Sequence, residues 1–200
     1  MASILFLRHG QIAANAKGRW NGSTDSELTW RGRRQARRTA KHLAAREAEI
    51  TAIYSSPLRR TRFTAEAAAD RLGLPVTIAD GLREYAIGEW EDLPFRHLAR
   101  EHDFVNTTIR DPDFAPPGGE SLRDVADRVV PTILEIHQRH REDSKVLVVG
   151  HGAAMAVAFG AILERNPARW TNYHFANCSL SELVISPAPY VNFFNSTQHL

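Results

Sequence analysis

SILFLRHG, residues 3–10, begins as a run of apolar residues and stops at charged and polar ones. The apolar part, Ser3 to Leu7, has the length and composition of a short buried strand. Arg8-His9-Gly10 follows it directly. In open α/β sheets, ligands bind beyond the carboxyl ends of the strands. The tripeptide is therefore predicted to lie at a ligand-binding edge.

The rest of the chain alternates between strand and helix patterns, which is typical of a sheet with helices on its faces. Further strands are predicted at 51–54, 76–78, 145–149, 180–185 and 190–194. Helices are predicted from Leu28-Thr29 to about Ala45, from Pro57 to Gly73, from Ser121 to about His140 and from Ala153 to Glu164. In the first helix the inward stripe is predicted to consist of Ala36, Ala40, Leu43 and Ala44. The predicted fold class is α/β, a three-layer α/β/α sandwich with a mostly parallel central sheet.

Length and composition favour one domain over residues 1–200, because 43% of the residues are hydrophobic and suffice for one large core. Four prolines interrupt the pattern between Glu84 and Gly119. This stretch is predicted to be a partly helical insertion that covers the site.

Charge and cysteine content restrict the partners and the compartment. The 25 basic and 23 acidic residues nearly cancel, so neither a nucleic acid nor a membrane is expected as a partner. Cys178 is the only cysteine, which excludes an internal disulfide and favours the reducing cytoplasm. The apolar stretch from Val146 to Leu163 contains glycines and divides into a strand and a helix, so it does not read as a membrane span. A homodimer is possible, because the final strands could pair between two copies of the chain.

Three more polar segments follow predicted strands: Ser55-Ser56-Pro57-Leu58-Arg59-Arg60, Leu82-Arg83-Glu84 and Gly150-His151-Gly152. The first of them places hydroxyls and guanidiniums at a helix N-terminus, where free N–H groups favour an anion. Segments that follow strands of one sheet can converge on one pocket, although they lie far apart in the sequence.

In this order and at these positions, the motifs resemble the histidine phosphatase superfamily, which includes the cofactor-dependent phosphoglycerate mutases. The matching segments are Arg8-His9-Gly10-Gln11 with Asn15, Gly22 to Thr29, Ser56 to Arg60 with Thr64-Ala65, Leu82-Arg83-Glu84 with Gly88-Glu89-Trp90-Glu91, Pro117 to Ser121, and Val149 to Gly152. The motif spacing assigns the phosphate-binding arginine to Arg60, with Arg59 at a variable position. Three residues depart from the family pattern: Ile12 stands where threonine is usual, Phe63 where glutamine is common, and Ala153 where glycine is common.

The resemblance implies a metal-independent phosphatase that needs no cofactor and acts on a small phosphate ester. His9 is then the nucleophile, and it attacks as the neutral imidazole while a backbone carbonyl holds its other ring nitrogen. Glu84 gives a proton to the leaving group, and His151, if protonated, adds charge. The groups expected to bind the phosphoryl oxygens are Arg8, Arg60, Asn15, Asn21, His151 and Gly152.

Three alternatives remain open at this level. Glu89, Glu91 or Asp92 can replace Glu84 as the acid. The same phosphohistidine can serve a phosphoglycerate mutase, although mutases of the family resemble longer chains with extra segments around the site. A binding module that retains the fold without activity is the third, and the complete set of charged residues disfavours it.

Overall fold

The computed structural model describes residues 3–47, 49–140 and 144–200; the other positions of the predicted 1–200 domain lie outside the described residues. A six-stranded sheet forms the centre, with the strand order β3-β2-β4-β1-β5-β6. Its strands are β1 (Ser3–Arg8), β2 (Ile50–Ser55), β3 (Val76–Ile78), β4 (Lys145–Gly150), β5 (Leu180–Val184) and β6 (Tyr190–Ser196). Strands β1 to β4 pair in parallel, and β5 and β6 are antiparallel additions at one side. The predicted mostly parallel sheet is confirmed.

Seven α-helices lie in the described part of the chain: α1 (Ala13–Ala16), α2 (Trp30–Arg46), α3 (Arg59–Leu72), α4 (Phe95–Glu101), α5 (Phe104–Arg110), α6 (Leu122–Gln138) and α7 (Gly152–Glu164). Short 3-10 turns occur at Asp80–Leu82, Gly88–Trp90 and Pro167–Asn172. Helices α4 and α5 lie within the stretch between residues 84 and 119. Helix α1 and the turn at Pro167–Asn172 were not predicted.

Alternating side chains of the central strands divide the core into two layers. Along β1, Leu5 and Leu7 join the apolar cluster that contains residues of α2 and α3. Ile4 and Phe6 point the other way, into the cluster that contains residues of α6 and α7. Strand β4 alternates in the same manner. Since each face of the sheet is covered by helices, the predicted α/β/α arrangement is confirmed.

The predicted helix ends are mostly correct, because capping residues mark them. Thr29 accepts a hydrogen bond from the backbone N–H of Gly32, and Ser121 accepts one from that of Asp124. Gly73 ends α3 in the left-handed conformation, with φ of 68°.

Two predictions about the helices were wrong. Helix α3 begins at Arg59 and not at Pro57, because Leu58 is extended and serves as the N-cap residue. On α2 the buried face contains Thr39 beside Ala36, Ala40 and Leu43, whereas Ala44 is exposed. Alanine is small enough for either environment, so it does not identify the inward face.

In the described part of the chain no helix is long and apolar enough to cross a membrane.

Candidate active site

A cavity of about 710 Å³ opens at the carboxyl edge of the parallel strands. Residues that follow three strands reach it: Arg8 and His9 at the end of β1, Glu84 beyond β3 and Gly152 beyond β4. Arg60, on the first turn of α3 after β2, joins them. The polar segments predicted from the sequence therefore meet in one place. The cavity has the size of a site for a small molecule.

His9 is buried and its ring has a fixed orientation. Its Nδ1 lies 2.8 Å from the carbonyl oxygen of Gly10. A carbonyl only accepts hydrogen bonds, so Nδ1 carries the hydrogen and Nε2 keeps its lone pair. Burial lowers the pKa of His9 well below its ordinary value, and the guanidiniums of Arg60 and Arg8 lower it further. The neutral ring thus has its free lone pair on Nε2, and the expected backbone carbonyl is that of Gly10.

Arg60 is almost fully buried, and three of its N–H groups are already bound. Nη1 donates to the carbonyl of Thr24 at 2.7 Å and Nη2 to that of Gly22 at 2.6 Å. Nε donates to Nδ1 of His151 at 3.2 Å. Arg59, by contrast, is exposed and paired with Glu27. Of the two adjacent arginines, Arg60 is the one in the cavity wall.

His151 lies behind Arg60, fully buried, with its ring centre 5.3 Å from that of His9. Its Nδ1 accepts from Arg60, so Nε2 carries the hydrogen and faces the hydroxyl of Ser56 at 2.8 Å. Burial lowers the pKa of His151 well below its ordinary value, and Arg60 adds to this. The arrangement therefore favours neutral His151, whereas the expected contribution to the charge requires the protonated form.

Arg8 has a buried donor without a partner in the described part of the protein. Its Nη1 donates to the carbonyl of Phe175, while Nε makes no hydrogen bond. A Cβ at position 152 would lie 3.2 Å from Nε and Cζ of Arg8, so Gly152 allows the guanidinium to approach the start of α7 closely. An unpaired buried N–H is costly, and this one belongs to a residue that lines the cavity.

Glu84 lies at the N-terminus of α7. Its Oε1 accepts from the backbone N–H groups of Tyr85 at 2.9 Å and Ala154 at 2.8 Å, and Oε2 accepts from that of Ala153 at 3.3 Å. These three contacts hold the carboxyl group in place at the start of the helix. The side chain is thus fixed in the wall of the cavity.

The alternative acids do not line the cavity, whereas Glu84 does. Glu91 accepts hydrogen bonds from the backbone N–H groups of Ser23 and Thr24. Asp92 is exposed and lies 3.7 Å from Arg19. Glu89 is also exposed.

Two asparagines expected in the site line the cavity, and a third was missed. Asn177 donates from Nδ2 to the carbonyl of His9 at 3.1 Å and to Oδ1 of Asn15 at 3.0 Å. It belongs to none of the motifs, and its partners lie more than 160 residues away in the chain, so no sequence pattern indicated it. Asn21 donates from Nδ2 to Thr24 and Ser26, which ties it to its own loop.

The rest of the cavity wall is largely apolar. Ile12 is 1% exposed and packs in the core cluster of α2 and α3, so no hydroxyl occupies the place of the usual threonine. The wall also includes Phe95 from α4, Val105 from α5 and Trp170. In the described ranges no group of three or more His, Cys, Asp or Glu side chains could hold a metal ion.

Known proteins resemble this chain in sequence. Residues 4–192 match the family model described as histidine phosphatase superfamily, branch 1. A glucosyl-3-phosphoglycerate phosphatase of Mycolicibacterium vanbaalenii is 37% identical over 167 residues, which cover 80% of this chain and 73% of the relative. A probable phosphoglycerate mutase of Salmonella choleraesuis is 34% identical over 191 residues, covering 92% and 85%.

Solved structures agree with these sequence matches. Phosphoserine phosphatase of Entamoeba histolytica, in complex with 3-phosphoglyceric acid, superposes with a TM-score of 0.88 at 27% identity and covers 100% of both chains. The mycobacterial glucosyl-3-phosphoglycerate phosphatase in complex with VO3 gives a TM-score of 0.86 at 32% identity, covering 98% of this chain and 99% of that one. Phosphatase activity fits this set of relatives. The chain belongs to the histidine phosphatase superfamily, branch 1.

Proposed function

We propose that this protein is a metal-independent phosphatase that hydrolyses a small phosphorylated metabolite through a phosphohistidine on His9. The observation that carries the proposal is the neutral imidazole of His9 in the same cavity wall as Arg8, whose buried Nε–H has no partner among the described residues. The first group is a nucleophile ready for attack, and the second is a donor for a phosphoryl oxygen. Phosphoryl transfer requires mainly such positioning and positive charge.

In the first step, Nε2 of His9 attacks the phosphorus and the bond to the ester oxygen breaks. Arg8 and Arg60 hold the equatorial oxygens, with Asn15 and the start of α7 at Gly152 beside them. His151 supports the site by accepting a hydrogen bond from Arg60 and donating one to Ser56. It contributes charge only if it gains a proton when the phosphate binds.

Glu84 supplies the proton that the leaving alkoxide needs. This role requires that Glu84 carries a proton when the ester is bound. The alcohol then leaves with that proton. In the second step Glu84 takes a proton from water, the water oxygen attacks phosphorus, and the bond to Nε2 breaks to give inorganic phosphate and free His9.

We also propose a domain organisation, a location and an oligomeric state for the protein. Residues 1–200 form one domain, and the stretch 84–119 covers the site, supported by Phe95 and Val105 in the cavity wall. The small net charge of +2 supports the absence of a nucleic acid partner, and the single cysteine supports a cytoplasmic location.

A homodimer would form along the edge strand β6, where Tyr190 is 48% exposed. Light scattering of the purified chain and of Tyr190→Glu tests the dimer.

A phosphoglycerate mutase is the second candidate, because one relative at 34% identity is named a probable mutase. The two activities separate in one assay with 3-phosphoglycerate as substrate. Release of inorganic phosphate supports the phosphatase, and formation of 2-phosphoglycerate without release supports the mutase. A non-catalytic module would give neither product.

The direct test is phosphate release from p-nitrophenyl phosphate and from a panel of phosphorylated metabolites, with a chelator present throughout. Activity should persist with the chelator and disappear in His9→Ala, while the exposed His97 on α4 serves as the control position, His97→Ala. Glu84→Gln should lower turnover of alkyl esters about a hundred- to ten-thousandfold and that of p-nitrophenyl phosphate much less. Full activity in His9→Ala would refute the proposal.

A further inference from the structure

Arg128, on α6, uses every N–H group of its guanidinium. Nε and Nη2 donate to the two carboxylate oxygens of Glu120 at 2.6 and 2.8 Å. Nη1 donates to the carbonyls of Gly81 at 3.0 Å and Arg83 at 2.8 Å, and Nη2 also donates to that of Glu84 at 3.0 Å. One side chain thus binds three backbone carbonyls in the segment that carries the proposed acid.

Glu120 binds the same segment from the other side of Glu84. Its Oε2 accepts from the backbone N–H of Ala86 at 3.0 Å, and its own backbone N–H donates to the carbonyl of Ala86 at 2.8 Å. The ion pair of Arg128 and Glu120 therefore contacts the backbone both before and after Tyr85. Both side chains are about three-quarters buried, which separates this pair from the exposed ion pairs of the surface.

The segment needs such contacts because little regular structure holds it. After the 3-10 turn at Asp80–Leu82, residues 83–87 belong to neither a helix nor a strand. Backbone carbonyls in such a segment require other partners, and Arg128 binds two of them, those of Arg83 and Glu84, together with the carbonyl of Gly81 in the turn before. The side chain of Glu84 is held separately, by N–H groups at the start of α7. Its backbone is therefore attached to α6 and its carboxylate to α7.

We propose that Arg128, together with Glu120, is a positioning residue for proton donation by Glu84. This inference rests on the proposed function, in which Glu84 protonates the leaving group. A carboxyl group displaced by about 1 Å can cost up to a hundredfold in rate. The loss falls on the step that needs the proton, so it depends on how good the leaving group is. A purely structural role would affect all substrates alike.

The chain offers a matched control on the same helix. Arg123 also forms a two-point ion pair with a carboxylate, that of Asp113, at the beginning of α6. Both partners are more than half exposed, and their pairing does not involve the segment of Glu84. Arg123→Lys therefore makes the same chemical change, loss of the planar fork with the charge kept, away from the acid.

The experiment measures kcat of Arg128→Lys, Glu120→Gln and Arg123→Lys with an alkyl phosphate and with p-nitrophenyl phosphate. Urea unfolding shows which variants are folded. Arg128→Lys should lose about 10- to 100-fold with the alkyl ester and less than about threefold with the aryl ester. Glu120→Gln should show the same pattern. If Arg128→Lys does not fold, the result with Glu120→Gln tests the positioning role. Arg123→Lys should leave both rates within about twofold.

A double variant distinguishes a failure of the positioning role of Arg128 from a failure of the proposed role of Glu84. In the Glu84→Gln background, Arg128→Lys should cause no further leaving-group-dependent loss, because the group it positions is gone. Equal losses with both esters in folded Arg128→Lys and Glu120→Gln would overturn the positioning role. If Glu84→Gln itself shows no dependence on the leaving group, the assignment of the acid fails instead.

Discussion

Replacing Glu91 by glutamine is predicted to weaken phosphate binding while leaving the nucleophile intact. The carboxylate of Glu91 accepts hydrogen bonds from the backbone N–H and the hydroxyl of both Ser23 and Thr24. The carbonyls of the same loop, those of Gly22 and Thr24, bind the guanidinium of Arg60. Glu91 therefore holds the loop, and the loop orients a proposed phosphate ligand.

The size of the effect follows from the hydrogen bonds that an amide cannot make. Glutamine keeps one acceptor oxygen, so two of the four bonds are lost, each worth about 0.5–1.5 kcal/mol. Because the loop is exposed, the lower part of that range applies and the total is about 1–2 kcal/mol. If all of this free energy is lost from phosphate binding by Arg60, the KM for phosphate esters and the Ki of inorganic phosphate rise about 5- to 30-fold.

Steady-state kinetics with p-nitrophenyl phosphate and inhibition by inorganic phosphate measure both quantities. Glu89→Gln is the control, since Glu89 is exposed and lies in the same 3-10 turn region. Gly22→Ala should reproduce the effect, because a Cβ there would lie 2.2 Å from Oε1 of Glu91 and φ is +50°. Equal KM and Ki values in Glu91→Gln and Glu89→Gln would refute the link between this loop and Arg60.

Three further predictions concern pH, the core and the missed asparagine. The pKa of His9 is lowered from its ordinary 6.5, mainly by burial, so below about pH 6.5 the unfolded chain binds a proton that the folded chain does not. The free energy of unfolding, measured with urea at pH 7.5, 6 and 5, should therefore decrease by up to roughly 1.4 kcal/mol per pH unit for this group. Ile12→Thr should lower the free energy of unfolding by about 1–3 kcal/mol, because it buries a hydroxyl, and should decrease KM by adding a polar group at the cavity. Asn177→Ala should lower kcat/KM about tenfold, because His9 and Asn15 both lose their shared donor.

Each of these predictions has a matched check. His9→Gln should reduce the decrease in stability below pH 6.5, and an unchanged slope would contradict the cause given. If Ile12→Thr costs no stability, then the side chain is not the core residue that its burial indicates. If Asn177→Ala changes kcat/KM no more than the exposed substitution Asn172→Ala, the bridge between His9 and Asn15 has no role in turnover.

The fold was predictable because its signals are local. Apolar runs of strand length, capping residues such as Thr29 and Ser121, and the terminal Gly73 mark the elements directly. The convergence of His9 and His151 also followed from position, since both come directly after parallel strands that are neighbours in the sheet. General rules of sheet geometry were sufficient for both.

The remaining features of the site depend on contacts between distant parts of the chain. No local pattern indicates that the carboxylate of Glu84 meets the start of α7, or that Phe175 supplies a carbonyl to Arg8. The tautomer of His151 depends on the direction from which Arg60 approaches it. Asn177 has no motif at all. Such details require the packed structure, because side-chain direction is set by neighbours from other elements.

The most direct measurement is the position of phosphate on the enzyme during turnover. The enzyme is mixed with a labelled aryl phosphate, quenched in alkali within milliseconds, digested and mapped by mass spectrometry. Because Nδ1 of His9 is bound to the carbonyl of Gly10, the phosphate should be acid-labile and attached to Nε2 of His9. Phosphate on another residue, on Nδ1, or absent during rapid turnover would contradict the proposed nucleophile.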